Sequence, residues 1–272
     1  MTPRGPGSAA AVPRPRRIDA SSAGGRLVMS AASVAIGLAI WQVLSSTVLQ
    51  SIVFPTVDAT LLALVKQFAT DELRGHIGVT LYRVLVGFTI GSLVGALLGL
   101  FMGSFATVRR FFEPYTNFFR FITPIAWITP AVIWFGVGEG SKLFLIIYAT
   151  LFIVLINTMA GVTHIHRDRL RMASAFGARR LQVFLYVTLP ASVGFILTGM
   201  RVALGNSFMT VISAEILSAN TGLGYLIYSS RVFFRADVMF AAILLLGTMG
   251  FAADRLFAFL QYRVLWRYQP GR

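Results

Sequence analysis

Long apolar runs alternate along this chain with short polar, arginine-bearing connections, and the length of the runs decides what they can be. Six of them, at residues 27–49, 78–103, 121–137, 143–162, 191–217 and 238–260, approach or exceed the roughly 20 residues a helix needs to cross a bilayer core. The pattern predicts an all-α membrane protein with six transmembrane helices. The first run is too long for a signal-peptide core and is expected to stay in the membrane as an anchor. Residues 1–25, rich in Pro, Arg, Ser, Gly and Ala and without apolar periodicity, cannot bury enough surface to order themselves. They predict a disordered cytoplasmic tail ahead of a transmembrane domain over 26–268.

Between the first two runs, Val57, Leu61, Leu64, Val65 and Phe68 recur at helical spacing, which predicts an interfacial helix entered through Pro55. The third run is the weakest span, because Pro124 and Pro130 each remove a backbone donor; a kinked or broken helix is expected there. In the second run Gly87, Gly91, Gly95, Gly99 and Gly103 lie four residues apart. That spacing puts them on one slowly drifting stripe of a helix face, where a neighbouring span can approach closely.

Composition sharpens the class. Of 272 residues 56% are hydrophobic and only 12% charged, with a mean hydropathy of +0.75, whereas a soluble domain carries about 25% charged residues. The net charge of +14 is dispersed between apolar runs rather than gathered in a basic domain, so no nucleic-acid partner is expected. With both termini placed inside, seventeen of the 24 cations fall on the cytoplasmic side, and only Lys66, Arg74, Lys142, Arg231 and Arg235 lie outside. The positive-inside rule favours that orientation, and an even number of spans agrees with it.

Candidate chemistry is sparse. There is no cysteine, which excludes disulfides and thiolate metal sites. His76, His164 and His166 read as solvated loop histidines, and no metal site is expected. No nucleophile, base and carboxylate set and no carboxylate pair at helical spacing emerges, so no catalytic residue is assigned. Gly136-Val-Gly-Glu-Gly140 lacks the Lys-Ser/Thr ending of a phosphate loop and reads as a tight turn.

Charges inside the spans carry more information, since an ionisable group at depth costs at least about 2.5 kcal/mol and faces a cavity or a partner. Arg83 near the outer end of the second span, Arg201 in the inner half of the fifth and Glu215 near its outer end are candidates for the translocation path or gate. Arg201 and Glu215 are separated by about 21 Å along one helix and cannot pair, whereas Arg83 and Glu215 share a depth and can. Arg201, without a carboxylate of similar depth on its own span, is expected to face a central path or cap carbonyls near an inner gate, with a bias toward anions.

The loop at about 163–190 holds an amphipathic segment. Leu170, Ala173 and Phe176 or Gly177 recur on one helical face, flanked by Arg169, Arg171, Arg179 and Arg180, which suits a helix-in-groove contact or a helix lying on anionic lipid.

With these residues laid out, the chain resembles the permease subunits of type I ATP-binding-cassette importers, in the branch for aliphatic sulfonates, taurine, nitrate or bicarbonate. The resemblance rests on Leu81-Tyr-Arg-Val-Leu-Val-Gly-Phe88, Pro124-Ile-Ala-Trp127, Ile133 to Lys142, Asn157-Thr-Met-Ala-Gly161, Gly177-Ala178, Leu189-Pro190, Gly199 to Leu204, Ala214-Glu215 and Gly222-Leu-Gly-Tyr-Leu226. It implies a multi-pass protein of the bacterial cytoplasmic (inner) membrane that works as a permease dimer, here expected to be a homodimer. It implies also two cytoplasmic ATPase subunits that hold the ATP and Mg, an extracytoplasmic binding protein that delivers substrate, and no cofactor on this chain. The family's Glu-Ala-Ala signature, whose short helix docks on the ATPase, aligns with Arg171, Met172 and Ala173, with Gly177 retained; an arginine stands where the family has glutamate. The resemblance thus makes Arg169, Leu170, Arg171, Ala173, Phe176, Gly177 and Ala178 the candidate ATPase-coupling residues. The alternatives are an autonomous secondary transporter or channel, or an importer subunit for a vitamin precursor.

Overall fold

In a bilayer every backbone N–H and C=O must be satisfied within the protein, and a helix does this segment by segment. The computed structural model describes residues 21–48, 54–68 and 71–266, and every regular element among them is helical. The chain divides into an N-terminal unit, Met1–Gln50, and a second, Ser51–Arg272. The first contains α1, Ser21–Val43, whose continuation widens to a π-helix over Leu44–Val48, where Thr47 Oγ1 donates to the Val43 carbonyl at 2.6 Å. Helix therefore already includes residues 21–25 of the expected tail, and residues 1–20 lie outside the described residues.

The second unit begins with α2, Val57–Phe68, at the segment that the spacing predicts to be helical. It is followed by α3, Asp71–Ser104, α6, Glu139–Thr163, α9, Leu189–Ser218, and α11, Ala236–Trp266. With the N-terminal helix, five helices are long and apolar enough to cross a membrane. A bent pair makes a sixth span where it is counted as one: α4, Ala106–Phe119, meets the segment Pro124–Phe135, which ends in α5, Ile128–Phe135, at 90°.

The expected third span, 121–137, is corrected by this arrangement. Residues 104–120 fall between the second and third apolar runs, yet Ala106–Phe119 form an amphipathic helix carrying an Arg109–Glu113 pair at 3.5 Å. Thr123 before Pro124 is extended, at φ −67° and ψ 145°, as the proline ring demands of its predecessor. The chain then restarts as a 3-10 turn over Pro124–Trp127. The break frees carbonyls, and Tyr148 of α6 covers them: its hydroxyl donates to Phe119 O at 2.6 Å, with Ile122 O at 3.3 Å. Pro130 does not break α5, because it lies in the first turn, where its missing N–H would have had no helical partner.

The glycine stripe of α3 packs against α6. A Cβ added at Gly91, Gly95 or Gly99 would lie 2.8, 2.5 or 2.6 Å from the carbonyl oxygen of Ile147, Leu151 or Leu155, so backbone meets backbone along the seam. At its ends a Cβ on Gly87 would meet Ile146 at 2.7 Å, and one on Gly103 would meet Val162 at 2.5 Å. Helix α9 closes the other side of α6, with Gly161 against Phe195, Gly199 against Asn157 and a Thr150–Ser207 hydroxyl bond of 3.0 Å. Val84, Ile146, Val154, Ala203 and Val211 fill the core between α3, α6 and α9.

Candidate functional site

Four elements bring charge together at the end of the second unit that carries α10, Leu223–Val232. Arg83 projects from α3 and is 1% exposed. Its Nη1 donates to Glu215 Oε1 of α9 and to the Thr221 carbonyl, both at 2.8 Å. Nε and Nη2 form a fork on Glu139 of α6 at 2.7 and 2.6 Å, and Nη2 also reaches Thr221 Oγ1 at 3.2 Å. Arginine has five N–H donors in a fixed plane, and here each has an acceptor. Lys142 supplies a second cation, donating to the carbonyls of Val137 at 2.5 Å and Gly138 at 2.9 Å. Two arginine or lysine cations and two carboxylates thus share one cluster with no net charge, buried except at Glu139, whose side chain is 48% exposed.

Glu215, fully buried, also accepts from Thr80 Oγ1 at 2.9 Å and from the Gly224 N–H at 2.8 Å. Three backbone donors at the start of α10, which no intrahelical carbonyl can satisfy, are taken by side chains: Gly222 N–H by His76 Nδ1, Leu223 N–H by Thr80 Oγ1 and Gly224 N–H by Glu215, at 2.9, 2.9 and 2.8 Å. The Gly222-Leu-Gly224 turn wraps the carboxylate so closely that a Cβ on Gly222 would overlap it, and Gly222 adopts φ +113°. His76, expected to be a solvated loop histidine, is instead buried in α3. Arg83 and Glu215, read from sequence as candidates for the path or gate, meet in an interior knot that fixes α10 on α3, α6 and α9.

Arg201 is a correction of a different kind. Its Nε and Nη2 form a bidentate pair with Asp254 of α11, both at 2.7 Å, with side-chain exposures of 45% and 40%. Arg201 has no carboxylate of similar depth on α9; its partner lies on α11.

At the opposite end, α7 covers Arg167–Ala175, and its close follows from the sequence. Gly177 takes φ +79°, the left-handed conformation that glycine adopts without cost. Ala178 N–H then reaches Ala173 O at 3.1 Å, and Gly177 N–H reaches Ser174 O at 3.0 Å. This pair of bonds is a Schellman turn. The expected apolar stripe divides: Leu170, Ala173 and Ala178 are half-buried, whereas Phe176 is 90% exposed and Met172 55%. Leu170 and Ala178 line a cavity of about 480 Å³ with Gly103, Phe105, Val183 and Phe184. Arg169, Arg171, Arg179 and Arg180 are all exposed; Arg171 lies 3.8 Å from Asp168.

Asp254, Glu139 and His76 are functional candidates that the residue pattern hid. Asp254 interrupts an apolar run, and the cost of a carboxylate at depth was a sufficient signal for it. Glu139 was absorbed into a glycine-rich turn; its place at the first residue of α6 follows from the turn being shorter than it reads. No group of three or more His, Asp or Glu side chains able to hold a metal occurs among the described residues.

Residues 87–266 match the family described as binding-protein-dependent transport system inner membrane component. The aliphatic sulfonates transport permease protein SsuC of Escherichia coli K12 is 37% identical over 235 residues, covering 86% of this chain and 89% of the relative. The taurine transport system permease protein TauC of the same organism is 32% identical over 245 residues, covering 88% and 89%. Among solved structures, a bacterial ABC transporter involved in import of the acidic polysaccharide alginate has a chain of the same fold, with a TM-score of 0.65 at 16% identity, covering 86% of this chain and 90% of that one.

Proposed function

The chain belongs to the inner-membrane components of binding-protein-dependent transport systems, a multi-pass permease subunit of an ATP-binding-cassette importer, and from that premise we propose how it works and what it carries. Its cargo is a small anion of the sulfonate, taurine or nitrate class, a reading supported by the names and 37% and 32% identities of the two relatives. Both termini lie in the cytoplasm, residues 50–77 and 218–237 lie outside, and a binding protein hands substrate to the outer face. A second copy of the permease completes the passage. Two ATPase subunits bind ATP and Mg and hydrolyse the nucleotide, and this polypeptide hydrolyses nothing.

The observation that carries the coupling is Phe176, a 90% exposed aromatic on the turn that closes α7, outside the membrane-length apolar helices and rimmed by four arginines. A large apolar side chain held out by a rigid turn, with Met172 beside it, offers a knob to a groove on a partner. Arg171 in place of the family glutamate reverses the charge of one rim position, so the complementary ATPase surface is acidic there. Phe176→Asp inserts a carboxylate into that apolar contact and leaves it unpaired, which costs several kcal/mol. The variant is expected to reach the membrane in normal amount and to lose the ATPase on affinity co-purification. Arg171→Glu should weaken the same complex. Undiminished recovery of the ATPase with Phe176→Asp would show that α7 is not the docking element.

A further inference from the structure

Cations held at membrane depth are costly unless matched, and several in this fold are. Arg83 is held by Glu139 and Glu215, Lys142 shares their cluster, and Arg201 is forked on Asp254. Arg120, counted from sequence among the cytoplasmic cations, is not. Its guanidinium lies 4.7 Å above the ring of Phe121, and among the described residues no carboxylate pairs with it.

Its depth follows from its neighbours. Arg120 sits at the break of the bent span, where the carbonyls of Phe119 and Ile122 are held by Tyr148. Tyr148 is about 14 Å along α6 from Glu139 at 1.5 Å per residue, near the middle of that helix. Asn206, close to the middle of α9, faces the same place. A cavity of about 190 Å³ opens there, lined by Arg120, Thr123, Tyr148 and Asn206 together with Ile122 and Phe152 among its apolar walls. This volume exceeds the ~30 Å³ share of one liquid water several-fold.

Each free polar side chain of the lining can donate. Arg120 offers a planar fork, Thr123 a hydroxyl and Asn206 an amide, and no intramolecular bond occupies any of these side chains among the described residues. The Tyr148 hydroxyl is already committed to backbone oxygen. A fixed cation beside neutral donors in an otherwise apolar wall favours a compact oxyanion, which accepts from several directions and supplies the missing charge.

We infer that the break between α4 and α5 is an anion subsite, in which Arg120, Thr123 and Asn206 hold the sulfonate or comparable oxyanion head of the substrate halfway across the membrane. The inference rests on the small-anion reading and locates it on this chain.

The chain has no cysteine, so Thr123→Cys provides a unique thiol in this subunit. In the assembled importer, its modification is followed by the mass of this chain, with 2-sulfonatoethyl methanethiosulfonate and with the trimethylammonium analogue. The ratio of the two rates, corrected for the ratio on a free thiol, is expected to favour the sulfonate about tenfold, and ethanesulfonate should protect the thiol. Adding Arg120→Gln should abolish both the preference and the protection; adding Arg120→Lys should keep part of each. A Thr123→Cys thiol that reacts with neither reagent, or that shows the same charge preference with and without Arg120, overturns the subsite. Uptake of labelled ethanesulfonate, taurine and nitrate by the unaltered importer is measured in parallel. If none enters, the small-anion reading fails, while the thiol chemistry still reports on the cavity.

Discussion

Arg83 shows how one residue can be read correctly for its depth and incompletely for its role. Sequence position brought it level with Glu215, and the two are 2.8 Å apart. Glu139 and Thr221 complete its coordination, and neither was legible, because a glycine-rich stretch gives no sign of which residue faces inward. The same residue-scale limit hid Asp254, since matching charges along one helix ignores partners on another. Breaking a buried pair by removing one member costs about 3–5 kcal/mol, more than the pair is worth intact. Arg83→Gln and Glu215→Gln should each lower the thermal stability of the purified permease, and the double variant should lose less than the sum of the two. Because Glu139 would remain unmatched, the recovery will be partial. Strictly additive losses in the cycle would show that Arg83 and Glu215 do not act on one another.

At the scale of elements, periodicity was most informative where backbone geometry alone sets the contact. Five glycines four apart require a close neighbour, and α6 is that neighbour. The bent third crossing was harder to read: Pro124 marked the break, but Arg109, Arg110 and Glu113 disguised α4 as a connection. An amphipathic helix tolerates such residues on one face, whereas a search for uniformly apolar runs does not detect them. The glycine seam yields a contrast within a single helix. Gly95→Ala puts a Cβ 2.5 Å from the Leu151 carbonyl, whereas Gly78→Ala meets nothing within 4 Å. The first should destabilise by about 1–3 kcal/mol through overpacking, and the second should be neutral or stabilising, as alanine is a better helix former. Equal melting temperatures for the two variants would contradict the packing described for α3 and α6.

For the whole molecule, the asymmetry of arginine and lysine gives an orientation that helical geometry cannot supply by itself. Single cysteines at Ser8, Ser51 and the exposed Asn220, in a chain that otherwise has none, allow it to be read in intact cells with a membrane-impermeant maleimide. Ser51→Cys and Asn220→Cys should label and Ser8→Cys should label only after lysis; labelling of Ser8→Cys in intact cells would reverse the topology. In the proposed orientation α7 and Phe176 face the proposed ATPase partners, and the Arg83 knot lies near the proposed substrate-receiving face. The knot anchors α10 to three spans, so force applied at α7 through α9 reaches the opposite face along helices rather than through loops.

The central claim is that this chain is the passage of an ATP-driven importer and has no transport activity of its own. Purified permease is placed in liposomes with and without its ATPase, the binding protein is added outside, and uptake of labelled ethanesulfonate, taurine and nitrate is followed with Mg-ATP on the cytoplasmic side. The account predicts accumulation of at least one of these anions against its gradient only when ATPase, nucleotide and binding protein are all present. Uptake by the permease alone, at a rate unchanged by ATP or by the ATPase, would contradict it and identify an autonomous transporter or channel.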